Sequence, residues 1–67
     1  MQARVVNLLS ARGFGFLRQM QDGDRRNLFF HAHDTIGFDE LREGDFVTFQ
    51  ESESKGRPCA VRVEKLV

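Results

Sequence analysis

Arg12-Gly13-Phe14-Gly15-Phe16-Leu17 is the stretch that decides the fold. Phe14 and Phe16 stand two residues apart, and side chains alternate between faces along a strand, so both rings lie on one face. Gly13 and Gly15 flank them and leave the opposite face without side chains. Glycine inside a strand marks a tight bend or a close approach of another group, and a small barrel needs both. A second stretch, Leu28-Phe29-Phe30-His31, carries the same message. Leu28 and Phe30 point one way and Phe29 and His31 the other. With these two strands paired antiparallel, Phe14, Phe16, Phe29 and His31 bring four π-faces onto one patch.

Outward from these stretches, the chain divides into five runs with strand-like patterning: residues 3–9, 13–20, 27–31, 45–51 and 59–66. The separators read as turns. In Asp22-Gly23-Asp24 the glycine accepts positive φ and the aspartates bond their local backbone, and Glu43-Gly44-Asp45 and Lys55-Gly56-Arg57-Pro58 read alike. Five short strands with no helix-length periodic segment predict a small all-β barrel, one domain over residues 1–67. Alternation assigns Leu17, Leu28, Phe30, Val47, Phe49, Val61 and Val63 to the core, with part of the first strand. That first strand, Arg4-Val5-Val6-Asn7-Leu8-Leu9, does not alternate cleanly and its faces stay unassigned. Residues 32–44 have room for one helical turn, with Ile36 or Leu41 expected to plug one end of the barrel.

The chain has 67 residues, which limits it to a single domain. A chain of this size buries about 60% of the surface its unfolded form exposes, so it has little interior for a deep pocket and function belongs on the outside. The lone Cys59 cannot form an internal disulfide. Small secreted domains usually carry several cysteines, so the expected setting is reducing and cytoplasmic. No apolar run reaches membrane-spanning length, and Arg4, Asn7 and Arg12 interrupt any signal-peptide pattern. Met1 favours a whole chain. Ten basic and ten acidic side chains cancel overall, but their distribution is uneven. Residues 1–33 hold five arginines against two aspartates, a net +3, and residues 34–67 hold five basic against eight acidic side chains, a net −3. A local basic footprint is compatible with a neutral total.

Two phenylalanines at this spacing ordinarily form a core stripe. Here the other strands already supply enough apolar residues for a small core, and seven phenylalanines without Tyr or Trp are too many to fit inside. Phe29 and Phe30 are adjacent, so one of them faces out. Contiguous exposed aromatics call for a ligand. Unstacked bases suit such a patch, because every base has a π-face and stacking tolerates many sequences. Arg12 and Arg18 at its edges can meet phosphates or stack as guanidinium planes.

The motifs resemble those of cold-shock domains across nearly the whole chain. Gly13-Phe14-Gly15-Phe16-Leu17 is similar to the first ribonucleoprotein motif, K-G-F-G-F-I, with Arg12 in the place of the Lys. Leu28-Phe29-Phe30-His31 resembles the second, V-F-V-H. Gly37-Phe38 with Leu41-Arg42-Glu43-Gly44-Asp45-Phe46-Val47-Thr48-Phe49 resembles G-[YF]-x-x-L-x-E-G-x-x-V-x-F, and residues 55–63 resemble the closing K-G-x-x-A-x-x-V stretch. The resemblance implies a five-stranded antiparallel OB-fold barrel that binds single-stranded RNA or DNA, without a cofactor, as an RNA chaperone or a regulator of transcription and translation. By position it implies Phe14, Phe16, Phe29 and His31 as the stacking platform, Phe38 as an outlying stacking contact and Arg12 as a phosphate contact. The family's first strand usually reads K-W-F-N; here the matching residues are Val6-Asn7-Leu8-Leu9, without the stacking Trp or its basic neighbour. Ala32 replaces the aromatic that often follows the second motif. Fewer nucleotides or weaker binding is the expected consequence.

Other chemistries fare worse. The RNA-recognition motif shares the glycine–aromatic run, but Gln19 breaks its final aromatic position and its two helices are missing. His31 and His33 are only two metal ligands, with Cys59 far along the chain. No spacing supports a catalytic set or a phosphate loop, so neither enzyme activity nor a small-molecule substrate is expected. The rival reading is a barrel whose Phe patch docks a protein groove or a second copy, which the neutral charge and missing Trp favour. Salt separates the two, because binding to nucleic acid weakens steeply as salt rises.

Overall fold

In the computed structural model, which describes residues 1–19 and 27–66, six strands alternate with three short 3₁₀ turns. The strands are β1 (Gln2–Leu9), β2 (Phe14–Gln19), β3 (Asn27–His31), β4 (Thr35–Ile36), β5 (Phe46–Ser54) and β6 (Arg57–Lys65). The expected Asp22-Gly23-Asp24 turn lies outside the described residues.

The first strand alternates badly because it is bulged. Val5 faces Leu17 and Asn7 faces Phe16, which leaves Val6 as an extra residue on β1. Ala3 and Val5 are buried before the bulge, and Leu8 packs on the core after it. A second bulge sits on β6, where Thr48 pairs with Glu64 but Gln50 pairs with Val61. Arg62 takes the left-handed backbone there, φ 53°. The extra residue resets the phase, so Ala60 and Val63, three apart, both point inward. Val61, assigned to the core by simple alternation, is therefore only half-buried. Bulges increase local twist and let a short sheet curl. The other core assignments hold: Leu17, Leu28, Phe30, Val47, Phe49 and Val63 are all buried.

The strands run β3-β2-β1-β5-β6, and β6 returns to β3 to close the barrel. That closing seam is parallel, Phe29 beside Cys59 and Phe30 beside Ala60. The two-residue β4 also lies parallel to β6. The barrel is thus all-β, closed and five-stranded as expected, with mixed rather than purely antiparallel pairing. Closure removes the unpaired edges of a sheet this small. Beyond Arg4, β1 no longer pairs with β5, and the Glu43–Asp45 turn takes over. Gly44 N–H donates to the Val5 carbonyl at 2.8 Å, Val5 N–H donates to the Asp45 carbonyl at 2.8 Å, and Leu8 N–H donates to a Glu43 carboxylate oxygen at 3.1 Å.

The connection between β4 and β5 covers the core with Phe38 and Leu41, 8% and 4% exposed. Ile36, the alternative plug, is 65% exposed and faces out from β4. Phe38 packs on Phe30 with ring centroids 6.0 Å apart.

Gly15 is where the barrel has no space. A Cβ at this position would lie 2.6 Å from the Asn7 carbonyl oxygen and 2.8 Å from Cε1 of Phe30. One neighbour is backbone and the other a buried ring, so neither yields cheaply. Overpacking of this kind costs about 1–3 kcal/mol. Gly15→Ala is expected to lower the melting temperature by roughly 5–20 °C at 4–8 °C per kcal/mol. A melting point within about 2 °C of wild type, by circular dichroism, would show that β1 shifts away at no cost.

Candidate nucleic-acid interface

The entry to β2 is set by a left-handed glycine. After the 3₁₀ turn Ser10–Arg12, Gly13 adopts φ 76°, a conformation that costs glycine little. Gly13 therefore caps the turn rather than opening the strand. Its N–H donates to the Leu9 and Ser10 carbonyls at 3.0 and 3.2 Å, and its carbonyl accepts from Ala32 N–H at 2.9 Å. That last bond locks the start of β2 to the end of β3 and fixes their register. The direct pairs are Phe14 with His31, Phe16 with Phe29, Leu17 with Leu28, and Arg18 with Asn27.

Inward positions on these strands belong to Gly15, Leu17, Leu28 and Phe30, all buried. The Phe30 ring lies in the room that Gly15 leaves. With the interior filled, Phe14, Phe16 and Phe29 are held on the outer face. Phe14 and Phe29 lie 5.4 Å apart at 32°, Phe14 and Phe16 6.1 Å apart at 88°, and Phe16 and Phe29 6.0 Å apart at 73°. Phe29 is 38% exposed; Phe14, Phe16 and His31 are half-buried. Edge-to-face and tilted contacts at these distances stabilise an aromatic cluster without burying its upper surface.

His31 extends the patch, its ring centroid 6.4 Å from that of Phe29. Its Nδ1 accepts from His33 N–H at 3.1 Å, and its carbonyl accepts from the Thr35 hydroxyl at 2.8 Å. With Nδ1 engaged as an acceptor, the neutral imidazole carries its proton on Nε2, which can then donate to a base edge. Arg12 is exposed on the turn just before Phe14. Arg18 is exposed two residues beyond Phe16 on the same face, its Nε donating to Asn27 Oδ1 at 3.3 Å.

Six of the seven residues expected at the site thus lie on or beside one outer face. Phe38 does not. The resemblance made it an outlying stacking contact, but its ring is buried on Phe30. The short loop from β4 turns through Gly37, φ 71°, and places Phe38 in a 3₁₀ turn under the barrel's cover. Sequence reading also missed neighbours. The exposed ring of His33 lies 4.6 Å from His31, and the His-x-His spacing was the available signal. Arg4 and Phe46 join the same outer face through strand register alone. Asn7, where the resemblance looks for a Trp, is exposed opposite Phe16.

A family model described as the 'Cold-shock' DNA-binding domain matches residues 1–66. No curated protein matches the chain. The match spans almost all of the sequence, and the closed five-stranded barrel with its outward aromatic cluster accompanies it, so this chain belongs to the cold-shock domain family of nucleic-acid-binding barrels.

Proposed function

We propose that this domain binds single-stranded RNA or DNA by stacking successive bases on Phe14, Phe16, Phe29 and His31, with the backbone running past Arg12 and Arg18. The observation that carries this reading is the outward cluster of three phenylalanine rings whose centroids lie 5.4–6.1 Å apart beside the His31 ring. A duplex keeps its bases stacked inside and offers such a surface nothing, so single strands are favoured. The action is passive. Binding holds RNA or DNA unpaired and shifts the equilibrium of hairpins toward the open form, without catalysis or a cofactor. That is the action of an RNA chaperone or a regulator of transcription and translation in the cytoplasm.

Fluorescence anisotropy with labelled pyrimidine-rich and purine-rich heptanucleotides at two salt concentrations tests the proposal. A labelled strand is needed because the chain has no Trp or Tyr. Binding in the micromolar range or tighter is expected, with log K falling against log salt by ~0.7 per phosphate neutralised. No binding at low salt would overturn the reading and turn attention to a protein partner on the same patch.

A further inference from the structure

The outer face does not end at the aromatic cluster. Arg18 follows Phe14 and Phe16 in alternation on β2, and its neighbour across β1 is Arg4. Arg4 in turn pairs with Phe46 on β5, and its guanidinium carbon lies 5.9 Å from the centre of that ring. Asn27, Arg18, Arg4 and Phe46 therefore form one row across four strands, next to the row that holds Phe29, Phe16 and Asn7. The rows are two residues apart on β2 and β3, about 7 Å at the rise of a strand, and three apart on β1, where Val6 bulges. The second row opens into a cleft of about 660 Å³, lined by Arg4, Arg18, Gln19, Glu43, Gly44 and Phe46 among others.

Three features suit this cleft to the next stretch of a strand leaving the platform. Two guanidinium groups sit on directly paired positions, where fork-shaped donors can share one phosphate. Phe46 is 44% exposed, an unusual place for a large apolar ring. Gly44, in the left-handed region at φ 96°, lines the cleft beside Arg4 without a side chain. The Glu43 carboxylate also lines the cleft, but one of its oxygens accepts from Leu8 N–H at 3.1 Å and is held to the strand edge.

We propose that Arg4, Arg18 and Phe46 form an extension subsite: the two arginines take a phosphate and Phe46, beneath the Arg4 guanidinium, takes the adjoining base. This rests on the stacking platform and lengthens it past Asn7, where a flat side chain is lacking. The occupant is a nucleotide of the same strand that covers Phe14, Phe16 and Phe29.

The test compares labelled oligonucleotides of four and eight nucleotides on wild type, Arg4→Gln and Phe46→Ala, each first checked for an unchanged circular dichroism spectrum and melting point. Wild type is expected to bind the octamer with the steeper salt dependence. The Arg4→Gln variant should lose ~5-fold or more on the octamer, and its salt slope should fall by up to ~0.7, the contribution of the one phosphate the arginines share, while tetramer affinity changes less than ~2-fold. Phe46→Ala should weaken the octamer ~5-fold or more with the slope unchanged, as for a lost stacking contact. Should Phe46→Ala unfold, Phe46→Leu, which keeps apolar bulk without a π-face, replaces it. If wild type binds both lengths and the arginine variant keeps its octamer affinity and slope, or loses both lengths equally, the extension subsite is overturned and the platform stands. If wild type binds neither length, platform and extension fall together.

Discussion

Replacing Phe38 with alanine is expected to destabilise the barrel by about 3–5 kcal/mol, the usual cost of removing a buried phenylalanine ring. Phe38 is 8% exposed and packs on Phe30, itself fully buried at the centre of the core. Its ring and Leu41 are the cover that the β4–β5 connection supplies. A domain of this size has only about 3–10 kcal/mol in total at 0.05–0.15 kcal/mol per residue. Much of the chain would then be unfolded at 37 °C, with a melting temperature lowered by roughly 15–30 °C. Thermal melts and urea titrations measure this directly. The outer stacking role implied by resemblance makes the opposite forecast: an unchanged melt and weaker oligonucleotide binding. An unmoved melting temperature would mean that the ring is dispensable to the core and would return Phe38 to the binding surface.

The contrast at Phe38 shows what was legible in the sequence. Alternation within a strand is local, and it correctly put Phe14, Phe16, Phe29 and His31 on one face and Leu17, Leu28 and Phe30 on the other. Alternation fails where a strand gains a residue. Val6 and the Arg62 region are bulged, so Val61 was placed inside although the phase had shifted to Ala60. A bulge at a β-branched residue or an arginine carries no composition signal. Phe38 failed for a different reason: loop length and Gly37 decide where its ring goes, and neither is a property of Phe38. Arg4 and Phe46 lie forty-two positions apart and meet only through register across β1 and β5.

One physical cause links the core to the surface. Gly15 gives up its side chain so that the Phe30 ring can lie beneath β2. With the rest of the buried cluster that fit fills the interior beneath β2 and β3, and strand alternation leaves the flanking phenylalanines on the outer face. The exposed cluster is thus a consequence of core packing as well as a binding surface. Its stability and its binding should respond to different substitutions, Gly15 and Phe38 on one side, Phe14 and Phe29 on the other.

The double substitution Phe14→Ala/Phe29→Ala is expected to produce the largest loss of binding with the smallest structural cost. Base stacking on an aromatic side chain contributes ~1–3 kcal/mol per ring by alanine substitution. The two rings touch at 5.4 Å, and effects of residues in contact do not add. A combined loss of about 3–4 kcal/mol follows, roughly 10²–10³-fold in Kd at about 1.4 kcal/mol per tenfold. Phe29 is 38% exposed and Phe14 half-buried, so the melting temperature should fall far less than in Phe38→Ala. The arginines remain, so the salt slope measured at higher protein concentration should match that of wild type. Anisotropy titrations over a salt series, paired with thermal melts of the same preparations, separate the outcomes. A Kd within about threefold of wild type would remove the stacking platform from the mechanism and leave binding, if any, to charge alone. Loss of affinity with a collapsed melt would place Phe14 or Phe29 in the core, and Phe16→Ala, which leaves both rings in place, would then decide whether the outer face binds bases.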